Sequence, residues 1–176
     1  MTAQPVDLAA LNALDDEAFV AMLGAVFEHS PWVASAVLAD RPFPSVAALH
    51  SMMMAAVLNA GPVRQLALLQ AHPELARPVT LTVASTAEQR GMGLDRLAAD
   101  EAAAFSALNS AYRARFGFPF IIAVRGQRDR TAIRIALSDR IGHTPEQEMA
   151  AALAEVAKIT RFRLDDLIRD SSAAGQ

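Results

Sequence analysis

Apolar residues recur along this chain at spacings of three and four, and glycine or proline falls mostly at the breaks between such runs. That pattern commits the chain to burying its apolar surface helix against helix. Abundant alanine favours the same outcome. Asp15 or Asp16 can cap a helix reaching about Glu28, and Pro31 opens another through Trp32 to Asp40. Arg41-Pro-Phe-Pro44 is a break. Ser45 then caps an apolar run holding Met52, Met53 and Met54 that stops at Gly61, and Pro62 restarts a helix to about Ala71. The stretch from His72 to Ala84 holds Pro73, Pro78 and the strand-like Val79 to Val83; it reads as a loop, since an isolated short strand has no partner. From Leu94 a stripe runs through Leu97, Glu101, Phe105, Leu108, Tyr112 and Phe116 to a stop at Gly117. Phe118 to Val124 is short, apolar and broken by proline, which predicts a buried extended segment. Thr144-Pro-Glu-Gln147 is a capping box that opens a last helix to about Asp170. The expected fold is all-α: a single-domain bundle of about seven to eight helices over residues 1–170, with a frayed tail at 171–176.

Composition narrows the function. With 176 residues, 53% apolar and 20% charged, the chain can build a real core and is not expected to be disordered. It has no apolar run of about 18 residues, so no transmembrane span is expected. The N-terminus lacks a basic start and an apolar signal core, and the final Ala-Ala-Gly-Gln176 is no peroxisomal signal, so the expected location is cytoplasmic. A net charge of -3 gives no footprint for nucleic acid or a membrane surface. Absence of cysteine removes disulfides, thiolate metal sites and thiol nucleophiles. Lys158 is the only lysine and lies mid-helix in a polar context, which argues against an imine mechanism.

Of the four histidines, none has a metal-ligand spacing such as HExxH. His50 lies in the Met-rich helix and reads as structural, His143 precedes a helix cap and is expected to face solvent, and His29-Ser-Pro-Trp32 reads as a turn anchored by Trp32. His72 ends a helix directly before Pro73, which fixes the chain direction. It is either a proton-exchanging group held at an edge or a helix-end histidine answering the dipole. Ser85-Thr-Ala-Glu88 is a capping box by pattern; with Gln89 it could instead present donors and acceptors to a carbonyl-rich ligand at a helix N-terminus. In the last helix Met149, Leu153, Val156, Thr160, Leu164 and Leu167 form an inward stripe. At about 100° per residue Arg163 falls within that stripe and Arg161 outside it. An inward guanidinium needs a partner: a salt bridge, for instance to Glu101, or a ligand.

Taken together, Phe27-Glu-His-Ser-Pro-Trp-Val33, Arg41-Pro-Phe43, Gln65 to Ala76, Ser85-Thr-Ala-Glu-Gln89, Leu108-Asn-Ser-Ala-Tyr112, Arg115-Phe-Gly-Phe-Pro-Phe-Ile-Ile122 and Glu155 to Leu167 resemble one family, in order and over nearly the whole chain. It is the family of 2-oxo-4-hydroxy-4-carboxy-5-ureidoimidazoline (OHCU) decarboxylases, which complete the conversion of urate to allantoin. The resemblance implies an all-helical fold, a homodimer, and no metal or organic cofactor. It implies His72 as catalytic acid/base and Glu88 as its catalytic partner. It implies substrate contacts at Pro73, at Ser85, Thr86, Ala87 and Gln89, and at Phe120, Ile121, Ile122, Ala123 and Val124, the last five largely through backbone groups. Arg163 matches the family's arginine in the terminal helix. Two departures stand out: the stretch from Arg77 to Ala84 is shorter than usual, and Arg140-Ile-Gly-His143 stands where the family often has Arg-Leu-x-Asn.

Loss of a carboxylate leaves an electron pair on carbon. With no lysine imine, thiamine motif or metal spacing to read, the expectation is that the substrate's own C=N accepts the pair, while the protein orients the carboxylate and delivers a proton to one face. Two rival readings are a helical module that binds a ligand or partner without catalysis, and a related lyase or hydrolase acting on another ureido compound.

Overall fold

The computed structural model describes residues 4–76 and 83–171, which form nine α-helices and one two-stranded parallel pairing. The class is mainly all-α, with one helix more than the upper expectation among the described residues. No single described helix is long and apolar enough to cross a membrane. Contacts group the chain into two compact units, Met1–Leu68 with Thr160–Gln176, and Leu69–Ile159.

In the first unit β1 (Val6–Asp7) pairs with β2 (Ile168–Arg169). Asp7 then caps α1 (Leu8–Asn12) by accepting from the Ala9 N–H at 2.9 Å. Asp15 caps α2 (Asp16–Leu23) through the Ala18 N–H at 2.8 Å. This helix ends five residues before the expected Glu28, because the chain turns after Leu23, and Glu28 is carried out of the helix into the buried interior. His29 adopts a left-handed φ of 47° in that turn. The helix expected from Pro31 to Asp40 is split into α3 (Trp32–Ala36) and a 3-10 turn at Leu38–Asp40. Ser45 caps α4 (Val46–Asn59), as its sequence predicts, and α5 (Gly61–Gln70) follows at an angle of 114°. Phe19, Leu23, Phe27, Val33, Leu49 and Met53 fill this unit's core. The loop that follows Arg41 is fastened by Asn12, whose amide both donates to the Phe43 carbonyl and accepts from its N–H, each at 2.9 Å. His50 bonds the buried Thr160 hydroxyl at 3.1 Å, in keeping with its structural reading.

The second unit holds α6 (Val83–Gly91), α7 (Ala99–Phe116), α8 (Arg130–Arg140) and the first two thirds of α9 (Pro145–Leu167). The helix expected from Leu94 begins only at Ala99. Gly93 turns left-handed at φ 71°, and the buried Leu94 belongs to the connection, so its apolar side chain mimics a helical position. Sequence reading delimited no helix between Val124 and Thr144, where Asp129 caps α8 through the Ala132 N–H at 2.8 Å. Thr144 and Gln147 form the predicted reciprocal box at the start of α9, with bonds of 2.9 and 3.2 Å. That helix ends at Leu167 rather than Asp170, where β2 takes over. The expected loop from His72 to Ala84 is partly outside the described residues, and its last two members, Val83 and Ala84, are already helical. Of the expected frayed tail only Ser171 is described, and its hydroxyl bonds Asp7.

Gly117 ends α7 at φ 78°, with its N–H returning 2.9 Å to the Arg113 carbonyl and open space where a Cβ would stand. Gly117→Ala therefore carries only the backbone penalty. It should lower the unfolding free energy by about 1–2 kcal/mol, read from the urea midpoint at unchanged slope.

Candidate active site

His72 lies just past the end of α5, buried at 7% exposure, with its N–H returning 3.2 Å to the Leu69 carbonyl. Pro73 then stops the helix, and the next three residues are each held by the second unit's helices. Glu74, also buried, pairs with Arg113 at 3.7 Å. The Leu75 carbonyl accepts from the Asn109 amide at 2.9 Å. Ala76 sits at a left-handed φ of 58° and donates its N–H to Gln89 Oε1 at 3.1 Å. Asn109 and Arg113 are one turn apart on α7, so a single helix face fastens the segment that carries the histidine.

Gln89 comes from α6, which joins the segment to the Ser85–Gln89 motif. The capping-box reading of Ser85 and Glu88 does not hold: α6 starts at Val83, so Ser85 is inside its first turn and 4% exposed. A spacing of three and four within a helix has a different consequence, placing Ser85, Glu88 and Gln89 on one arc. Ser85 and Gln89 are buried on it and Glu88 is half-buried, while Thr86 is half-buried and Ala87 is exposed.

α6 packs against the 3-10 turn Val124–Gly126, which ends the predicted extended segment. Phe118, Phe120, Ile121, Ile122, Ala123 and Val124 are all buried. The Ile121 carbonyl accepts from Arg140 Nη1 at 2.8 Å, and the Ala123 N–H donates to Glu155 Oε2 at 2.8 Å. Amides two apart on an extended chain face one edge. That edge is thus tied to protein, and the amides of Phe120 and Ile122 have no hydrogen-bond partner among the described residues.

Arg163 belongs to the first unit. Its side chain is 9% exposed, against 41% for Arg161, as the helix-face geometry predicts. Its carboxylate partner is Glu28, at 2.8 Å and 1% exposed, and the Val26 carbonyl accepts from it at 3.3 Å. The suggested alternative, Glu101, pairs with Arg130 instead, at 3.1 Å.

A family model described as OHCU decarboxylase matches residues 12–165. The chain belongs to the OHCU decarboxylase family. It is 44% identical to 2-oxo-4-hydroxy-4-carboxy-5-ureidoimidazoline decarboxylase of Haloferax volcanii, over 88% of this chain and 91% of that protein. It is 40% identical to the human protein named putative 2-oxo-4-hydroxy-4-carboxy-5-ureidoimidazoline decarboxylase, over 96% and 99%. The crystal structure of an (S)-allantoin synthase superposes with a TM-score of 0.71 at 34% identity, covering 92% of this chain and 54% of that one.

Family resemblance and helix patterns both passed over Glu148. This carboxylate is fully buried and accepts from three partners: the Tyr112 hydroxyl, Arg140 Nε at 2.9 Å, and His143 Nδ1 at 2.7 Å. His143 therefore does not stand free in solvent as expected; it is about a third exposed and tied to a buried anion. Burial, then the Glu148 carboxylate, push the Tyr112 hydroxyl well above its ordinary range, so it remains a donor. One signal was readable: Glu148, Ala152, Val156 and Ile159, spaced four, four and three, share the buried face of α9.

Proposed function

We propose that this chain is the carboxy-lyase that converts OHCU to (S)-allantoin and CO2 in urate degradation. The observation that carries the reading is the OHCU decarboxylase family match over residues 12–165. Within that span a buried histidine is held by three neighbouring backbone and side-chain tethers. In the substrate the carboxylate-bearing carbon also carries a hydroxyl and adjoins a C=N bond. As the C–CO2 bond breaks, its electron pair forms a C=C bond between the two ring carbons, and the C=N pair moves onto nitrogen. The ring nitrogen takes up a proton, the hydroxyl proton leaves to give the ring carbonyl, and the ureido-bearing carbon takes a second proton. The reaction of the carboxylate anion thus consumes one proton overall, and delivery of the carbon-bound proton to one face sets the S configuration.

His72 is the proposed donor to carbon, and Glu88 the acceptor that orients the substrate hydroxyl or the imidazole. Pro73, Ser85, Thr86, Ala87 and Gln89 are proposed contacts along α6 and its neighbour. Backbone groups of Phe120 to Val124 are proposed to meet the ring and ureido carbonyls, with the apolar wall excluding water. The edge of that segment not tied to protein supports this assignment. Arg163 keeps its proposed substrate contact on the resemblance alone. Homodimeric assembly rests on the same resemblance, and a cytoplasmic location is proposed with it for an enzyme of a small charged substrate.

Purified protein given freshly made OHCU should speed its decay and build the circular dichroism band of one allantoin enantiomer. Decay at the spontaneous rate, or racemic product, would sink the assignment.

A further inference from the structure

We propose that Arg140 and Glu148 are positioning residues for the reaction, which set the backbone of Phe120 to Val124 without touching substrate. The inference rests on reading the chain as an OHCU decarboxylase.

Arg140 serves two masters with one rigid plane. Its Nε lies 2.9 and 3.2 Å from the two Glu148 oxygens, and its Nη2 also bonds that carboxylate. Its Nη1 points the other way, 2.8 Å to the Ile121 carbonyl. The guanidinium carbon stands 4.6 Å from the centre of the Phe120 ring. Arg140 is thus wedged between an anion and two successive residues of the extended segment, at 11% side-chain exposure. The anion is immobile in turn, because Tyr112 and His143 hold it from two further directions. Tyr112 also meets Phe118 and Phe120 edge-on, with centroids 5.8 and 5.4 Å away.

Such a construction costs more than a hydrophobic filling of the same volume and is a poor source of stability. What it supplies is direction. A carbonyl held by one arm of a planar fork cannot rotate unless the fork leaves its carboxylate. Fixing the Ile121 carbonyl fixes the peptide plane that it shares with the Ile122 N–H, which points to the opposite edge.

Arg140→Lys tests this, because an ammonium keeps the charge but cannot meet Glu148 and the Ile121 carbonyl in the same geometry. Two readouts are taken on the whole protein. Amide deuterium exchange in a peptide covering 118–124 should quicken at least tenfold, while a peptide covering 46–59 keeps its rate. On OHCU, KM should rise about tenfold with kcat within threefold, the signature of lost uniform binding. Wild-type exchange in 118–124, or an unchanged KM, overturns the proposal. Should Arg140→Lys fail to fold, Tyr112→Phe decides the matter, since it removes one donor to Glu148 and leaves the ion pair. Quickened exchange confined to 118–124 with a raised KM supports the role, and no change in either overturns it. A wild-type protein that does not act on OHCU sinks the functional reading, and the exchange arm still reports whether Arg140 holds the segment.

Discussion

His72→Asn is expected to lower kcat on OHCU by about 10²–10⁴-fold, the usual loss when a positioned proton donor is removed. The fold should survive the change. The contacts that hold the segment run through Glu74 to Arg113, the Leu75 carbonyl to Asn109, and the Ala76 N–H to Gln89; none of the three uses the imidazole. The decrease should therefore come with an unchanged melting midpoint, and with whatever allantoin forms becoming racemic as spontaneous decay takes over. The measurements are stopped-flow absorbance for the rate and circular dichroism for the product's handedness. Near-normal turnover in a folded variant would remove His72 from the chemistry and leave it a buried helix-end histidine.

Glu148→Ala should produce the largest loss of stability, about 3–5 kcal/mol, because truncating one member of a buried ion pair strands the other. Arg140 would keep its charge at 11% exposure with its carboxylate gone, and the Tyr112 hydroxyl would lose its acceptor as well. A urea titration reads the effect as a shift of the midpoint. The contrast is Arg161→Ala: that guanidinium pairs with Asp165 at 2.9 Å, but both groups are more than 40% exposed, so the loss should stay below about 1 kcal/mol. Equal losses in the two variants would show that Glu148 is no hub.

Legibility in the sequence followed the range of the interactions. Caps are local, and Asp15, Ser45 and the Thr144/Gln147 box all stand where the pattern puts them. The same locality misled at Ser85, since a Ser-x-x-Glu spacing occurs equally well within the first turn of a helix, and the pattern does not fix its own phase. At Leu94 the spacing ran on through a non-helical connection because an apolar side chain was needed there too. The inward aim of Arg163 was readable from one helix, but its partner Glu28 was not, because that residue depends on where α2 stops. Glu148 is the extreme case. In the first turn of α9 it reads as a carboxylate answering the helix dipole; its burial is set by Tyr112 and Arg140, from two other helices, and by His143 in the turn before α9.

The two tethers that α7 extends to the histidine segment lie four residues apart, at Asn109 and Arg113. Substitution elsewhere on that helix leaves them in phase. An insertion or deletion disturbs that aim: between Asn109 and Arg113 one added residue turns one tether about 100° from the other, and between Ala99 and Asn109 it turns both by that angle against the start of the helix. Length in α7 is therefore expected to be frozen among relatives even where its residues differ. Variation in length belongs instead in stretches that carry no such register.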